Sequence, residues 1–210
     1  MMYNSNFDSS DAIAAQNLLA DMQRYNAYVN NIYIINFANG GVLTRTGRVQ
    51  LENFYDPALI EYVETLPVSS VPVRYRPRLA TVRDSSSRLT EERVWSVIFR
   101  PGTAGAFVLN VKYDDFIGLL NMGSGTALLH NYIINGDGQV LAASEDDLFA
   151  ADMTADPLYT AVRAQPDREG SFAYTDSETG MPYTVYYIQN AYLGLTYISA
   201  VQNTLFNAGT

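Results

Sequence analysis

Apolar positions fall into short alternating runs that occur twice in the same order. Ile32-Tyr33-Ile34-Ile35-Asn36, followed after a glycine turn by Val42-Leu43, is echoed by Asn131-Tyr132-Ile133-Ile134-Asn135 and then Val140-Leu141. Asp56-Pro57 opens an apolar run to Val63, and Asp156-Pro157 opens another to Val162. Farther on, Trp95-Ser96-Val97-Ile98-Phe99 has the pattern of Tyr183-Thr184-Val185-Tyr186-Tyr187, and Ala106–Val111 that of Thr196–Val201. Matches kept in one order are the mark of an internal repeat. They predict two copies of one module, 32–113 and 131–202, joined through the glycine- and serine-bearing stretch Asn121–Thr126.

Both copies share a local grammar. Two β-branched and aromatic runs are separated by Asn39-Gly40-Gly41 or by Gly136-Asp137-Gly138, where glycine supplies the positive φ of a hairpin turn. Asp-Pro then starts a short helix, with aspartate as N-cap and proline at the first helical position, where its missing N–H is harmless. Three strands follow: Val73–Val82, Arg93–Phe99 and Ala106–Lys112 in the first copy, Ser171–Thr175, Tyr183–Gln189 and Leu195–Gln202 in the second. Polar loops at Asp84–Glu92 and Pro101–Gly105 separate the first set. The order predicts an α+β fold of two modules, each a five-stranded antiparallel sheet with flanking helices.

Ahead of both copies, Leu18, Met22, Tyr25 and Val29 recur at spacings of four, three and four, one face of a helix Ser10–Asn30. At its length of about 30 Å such a helix could run along both modules. It reads as a packing strut, and its apolar face as a seam for a homodimer. The division becomes 1–31 for the helix, 32–120 and 131–210 for the modules, and 121–130 for the linker.

Composition narrows the chemistry. Hydrophobic residues make up 48% of the 210 and charged residues 17%, a folded composition. No apolar run reaches the roughly 20 residues of a membrane span, so this segment is expected to be soluble. Without cysteine, disulfides, thiolate metal sites and a cysteine nucleophile are excluded, and a single histidine excludes a multi-histidine metal site. The net charge of −9 lies in the second half: residues 1–100 balance ten Arg against ten acids, while residues 101–210 carry twelve acids against Lys112, Arg163 and Arg168. Such a half repels nucleic acid and anionic membrane surfaces. Seven arginines, Arg74, Arg76, Arg78, Arg83, Arg88, Arg93 and Arg100, fall in one stretch with only three acids, a local positive patch.

Three of these, Arg74, Arg76 and Arg78, alternate along a strand and so project from one face. Arginine forks suit carboxylate or phosphate. A solvated edge strand is the competing reading, favoured by Pro77. Glu145-Asp146-Asp147 with Asp152 and Asp156 reads as a solvated acidic loop rather than a calcium site, since the spaced ligand pattern is missing. Gly123-Ser124-Gly125-Thr126 lacks the lysine of a phosphate loop and reads as a linker. His130 reads as an ordinary structural or surface histidine, and Tyr183, Tyr186, Tyr187, Tyr192 and Tyr197 as core packing. Nothing places paired carboxylates on one cleft, so no enzyme and no cofactor are expected.

On Asn31–Gly47, Phe54-Tyr55-Asp56-Pro57 and Ala106–Phe116, over nearly the whole chain, the sequence resembles the double Cache sensor domain, with its long helix and two tandem PAS-like modules. The resemblance implies the extracytoplasmic sensing part of a bacterial histidine kinase, chemoreceptor or membrane-anchored transcription regulator, whose flanking membrane helices lie outside these residues. It also implies a small-molecule ligand, an anionic or polar metabolite, in the first, membrane-distal module. The positions indicated are Tyr75, Arg76, Arg78, Trp95, Asn110, Tyr113 and Asp114. Asn110 stands where amino-acid-sensing members carry an aspartate for the ligand's ammonium. The expected arrangement is an anion held by Arg76 or Arg78 between Tyr75 and Trp95, with a smaller pocket or none in the second module. The alternative is a ligand-free structural or dimerisation module of the same receptor class.

Overall fold

The computed structural model describes residues 9–68, 74–83, 88–121 and 129–203. The chain divides into two compact units, Met1–Asp115 and Phe116–Thr210. No helix among the described residues is long and apolar enough to cross a membrane.

The first unit opens with α1 (Ser9–Arg24), shorter than the helix expected over Ser10–Asn30. Asn26 ends it: its side chain accepts from the Tyr28 N–H at 3.1 Å and its carbonyl accepts from the Val29 N–H, an Asx-type turn that competes with helix. Val29, assigned to the helix by its spacing, instead begins β1 (Val29–Asn36) and pairs with Val111. The buried face is also different. Leu19 is 2% exposed and packs on the sheet with Val29 and Ile32, whereas Leu18 and Tyr25 are 61% and 82% exposed.

β2 (Gly41–Thr44) and β3 (Gly47–Gln50) follow as a second hairpin. Thr44 closes its turn, its hydroxyl accepting from the Thr46 N–H and donating to the Gly47 carbonyl at 2.9 Å. Then come α2 (Pro57–Thr65), β4 (Arg74–Arg83), β5 (Leu89–Gly102) and β6 (Gly105–Lys112). The first sheet therefore has six antiparallel strands, not five, in the order β3-β2-β1-β6-β5-β4. Leu89–Glu92, assigned to a loop, extend β5; Val73 and residues 84–87 of that loop lie outside the described residues. Gly105 is needed where β6 meets β1, because a Cβ there would collide with the Ile35 carbonyl. After β6 the chain turns directly into α3 (Tyr113–Asn121), which spans the division between units.

In the second unit β7 (Leu129–Asn135), β8 (Val140–Ala143), α4 (Pro157–Arg163), β9 (Glu169–Thr175), β10 (Pro182–Asn190) and β11 (Leu195–Gln202) form a five-stranded sheet, β8-β7-β11-β10-β9. Without β3, the first sheet has the same strand order. Residues 122–128 of the expected linker 121–130 lie outside the described residues.

Each sheet buries one face under its short helix. Tyr33, Ile35, Val42, Ile98 and Val108 pack on Phe54, Leu59, Ile60 and Val63 in the first unit. Ile134, Val185, Ile198 and Ala200 pack with Met153, Tyr159 and Val162 in the second. The first sheet's other face receives α1, through Ile32, Ile34, Leu43, Phe107 and Leu109.

Ladder pairing fixes which positions correspond. Tyr33 opposes Val108, which opposes Ile98; Tyr132 opposes Ile198, which opposes Tyr187. Two residues along, Ser96 pairs with Asn110, and Val185 with Ala200. Trp95–Phe99 therefore corresponds to Thr184–Ile188, one residue later than the sequence match suggests. A slip of one reverses the face of every side chain in a strand.

Candidate ligand-binding site

The helix-covered face of the first sheet should be apolar by position, and near α2 it is not. Asp56 stands at the N-cap position of α2, yet its side chain caps nothing. Its Oδ2 lies 2.8 Å from Nη2 of Arg78 on β4, both side chains being at least nine-tenths buried. The pair is close, but its angles fall short of a hydrogen bond. Arg78 Nε donates to Ser96 Oγ at 2.7 Å, and the Ser96 hydroxyl, with one proton to give, donates to Asn110 Oδ1 at 2.7 Å. That sequence turns the Asn110 amide nitrogen outward from the chain of bonds. Asn110 Nδ2 and Arg78 Nη1 are buried without a hydrogen-bond partner. Ser96 and Asn110 are fully buried.

Two tyrosines adjoin the ion pair. Tyr55 donates its hydroxyl to that of Tyr33 at 3.1 Å, and the rings meet edge-on. Burial drives the Tyr33 hydroxyl far above the ordinary tyrosine range, with the Tyr55 and Asp56 charges adding to it and Arg78 opposing. Burial raises Tyr55 as well. Both stay neutral donors and acceptors at physiological pH.

The predicted residues separate by strand alternation. Arg76, Arg78 and Asn110 share the α2 face, and Arg76 lays its guanidinium over the Tyr62 ring 3.7 Å from the centroid. Tyr75 and Trp95 face the opposite side of the sheet, stacked with centroids 6.1 Å apart, so they do not wall a pocket around Arg76 or Arg78. Tyr113 lies under the Arg93 guanidinium at the start of α3, and Asp114, its side chain 65% exposed, pairs with Arg93.

The positive patch disperses in the same way. Arg78 meets Asp56, Arg93 meets Asp114, and Arg100 donates to the carbonyls of Val63 and Glu64 at 2.8 Å and to that of Leu66, closing the end of α2. Asp56, Ser96, Tyr33 and Tyr55 were not foreseen in the site. The signal for Ser96 and Asn110 was present, as polar residues inside the alternating sets Val94-Ser96-Ile98 and Val108-Asn110, but only register shows that they meet.

By the ladder correspondence, the second sheet carries Phe172 for Arg76, Tyr174 for Arg78, Val185 for Ser96 and Ala200 for Asn110. Asp156, the counterpart of Asp56, performs the ordinary task and accepts from the Tyr159 N–H at 2.9 Å. The second module nonetheless contains a cleft of 410 Å³ beside α4, lined by Tyr132, Tyr174, Tyr183 and several acids. The expectation there is a smaller pocket or none, and a pocket is present: small Ala200 leaves space that bulky tyrosines border rather than fill. Among the described residues no group of acids and histidine is arranged to hold a metal ion.

No family model matches the chain, and no curated protein matches it in sequence. Solved structures do match. The periplasmic sensory domain of the Campylobacter jejuni chemoreceptor Tlp1 aligns over 100% of this chain and 84% of its own, with a TM-score of 0.62 at 11% identity. The chain shares the fold of that sensory domain. The extracellular domain of a protein described as a histidine kinase, mmHK1S-Z3, aligns over 97% of this chain and 83% of its own, with a TM-score of 0.57 at 12% identity. The ligand-binding domain of the C. jejuni chemoreceptor Tlp3, in complex with 4-methylisoleucine, aligns over 99% and 79%, with a TM-score of 0.50 at 12% identity. At these identities the likeness is one of fold, and it agrees with the double Cache resemblance read from the sequence.

Proposed function

We propose that the chain is the extracytoplasmic sensing domain of a membrane-anchored receptor, and that its first module binds a small oxygen-bearing metabolite against Arg78 and Asn110. The observation that carries this reading is the pair of buried donors without acceptors, Arg78 Nη1 and Asn110 Nδ2, at positions where the second module carries Tyr174 and Ala200. Buried polar groups are normally paired, and an orphan costs about 1–3 kcal/mol, so acceptors supplied by a ligand stabilise its bound state. Asp56 already offsets the Arg78 charge, which suits a polar or singly anionic ligand better than a multiply charged one. Binding, not catalysis, is the role inferred.

Leu18 and Met22 on α1, with Tyr25 just past its end, form an exposed apolar stripe, which favours pairing with a second copy. This is the observation behind the alternative of a structural dimerisation module, and it is compatible with sensing. The test is a thermal-shift screen of small carboxylates, sugars and amino acids, followed by calorimetric titration of any stabilising compound into wild type, Arg78→Met and Asn110→Ala. The expected loss is about tenfold or more for Asn110→Ala and about a hundredfold for Arg78→Met. Wild-type affinity in both folded variants contradicts the reading.

A further inference from the structure

The second-module cleft occupies the same place in its sheet as the Arg78 cluster does in the first, with the opposite chemistry. Its lining includes Tyr132, Tyr174, Ala200 and Asp156, the counterparts of Tyr33, Arg78, Asn110 and Asp56. The exchange removes the buried cation and the buried amide. Carboxylates enter instead from the loops: Glu145 and Asp147 after β8, and Asp176 and Glu178 in the turn between β9 and β10.

Among the described residues no lysine or arginine lines the cleft, and the one basic group there, His130, is paired with Glu145. Glu145 keeps a second oxygen, Oε2, buried and without a hydrogen-bond partner. Asp156 and Asp176 are held in place by backbone N–H groups of Tyr159 and of Glu178 and Thr179, through Oδ1 in each case. Acceptors thus converge on a cleft with too few donors. Its 410 Å³ falls within the range of small-molecule sites.

We propose that this cleft binds a small organic ammonium ion, its charged group among the carboxylates and its carbon chain against Tyr132, Tyr174 and Tyr183. Tyrosine faces attract cations as well as apolar carbon, so the walls and the acids select the same ligand. The acids are spread over the cleft and are not gathered as metal ligands, which suits an extended organic cation better than a point ion. The site is independent of the one proposed in the first module.

The test is calorimetric titration of the 210-residue chain with putrescine and with choline in 150 mM sodium chloride, alongside magnesium chloride. Saturable one-to-one binding of either organic cation is expected, weakened about tenfold or more by Glu145→Gln and by Tyr174→Ala. Tyr174→Ala is included because Glu145→Gln also loses the pairing with His130. Absence of saturable binding by both compounds overturns the proposal. So does equal binding of magnesium, which marks a diffuse counterion effect, or wild-type affinity in both second-module variants.

Discussion

Asp56 and Asp156 occupy the same place in the repeat and do different things. Asp156 caps α4 through the Tyr159 N–H, while Asp56 leaves α2 uncapped and turns to Arg78. The difference lies across the sheet, where Tyr174 stands in place of a cation. Replacing Asp156 by alanine should remove one cap and lower stability by about 1 kcal/mol. Asp56→Ala strands the buried Arg78 charge and should lower stability by about 3–5 kcal/mol, most of it recovered in the double variant Asp56→Ala/Arg78→Met. Urea unfolding of the four proteins measures this. Equal losses for the two aspartates would show that Asp56 acts as a cap after all.

Among the elements, α1 shows how far periodicity reaches. The spacing of Leu18 and Met22 marks a helix correctly, though the helix stops before Tyr25, and the sheet takes the neighbouring stripe around Leu19. Spacing reveals that an apolar face exists; when a helix carries two, only the partner surface decides which is buried. Leu19→Ala should destabilise the protein by about 3 kcal/mol, while Leu18→Asp should leave stability within about 0.5 kcal/mol and lower the sedimentation coefficient if the stripe joins two copies. The reverse ranking in thermal unfolding would return Leu18 to the core. Strand alternation is equally legible in the sequence. It aligned Arg74, Arg76 and Arg78, and by the same rule it sets Tyr75 and Trp95 on the far face. The β5 correspondence slipped by one residue because aromatic and β-branched residues occupy both faces of that strand and of β10. The extra strand β3 left little trace, since Gly47-Arg48-Val49-Gln50 has one apolar residue to offer its period.

The whole molecule is a duplicated sheet-and-helix unit whose copies kept their strand order and exchanged their interiors. The duplication was visible in the sequence because it rests on apolar positions that both copies need for packing. The candidate site was visible only in part, because Asp56, Arg78, Ser96 and Asn110 come from four separate elements and meet through pairing that no local pattern encodes. The central claim is that the unsatisfied donors of the first module await a ligand. The most direct measurement is a crystal structure of the chain grown with a compound that stabilises it in the thermal-shift screen. The account expects ligand oxygens within hydrogen-bond distance of Arg78 Nη1 and Asn110 Nδ2; ordered water on both atoms, with the compound bound elsewhere, would contradict it.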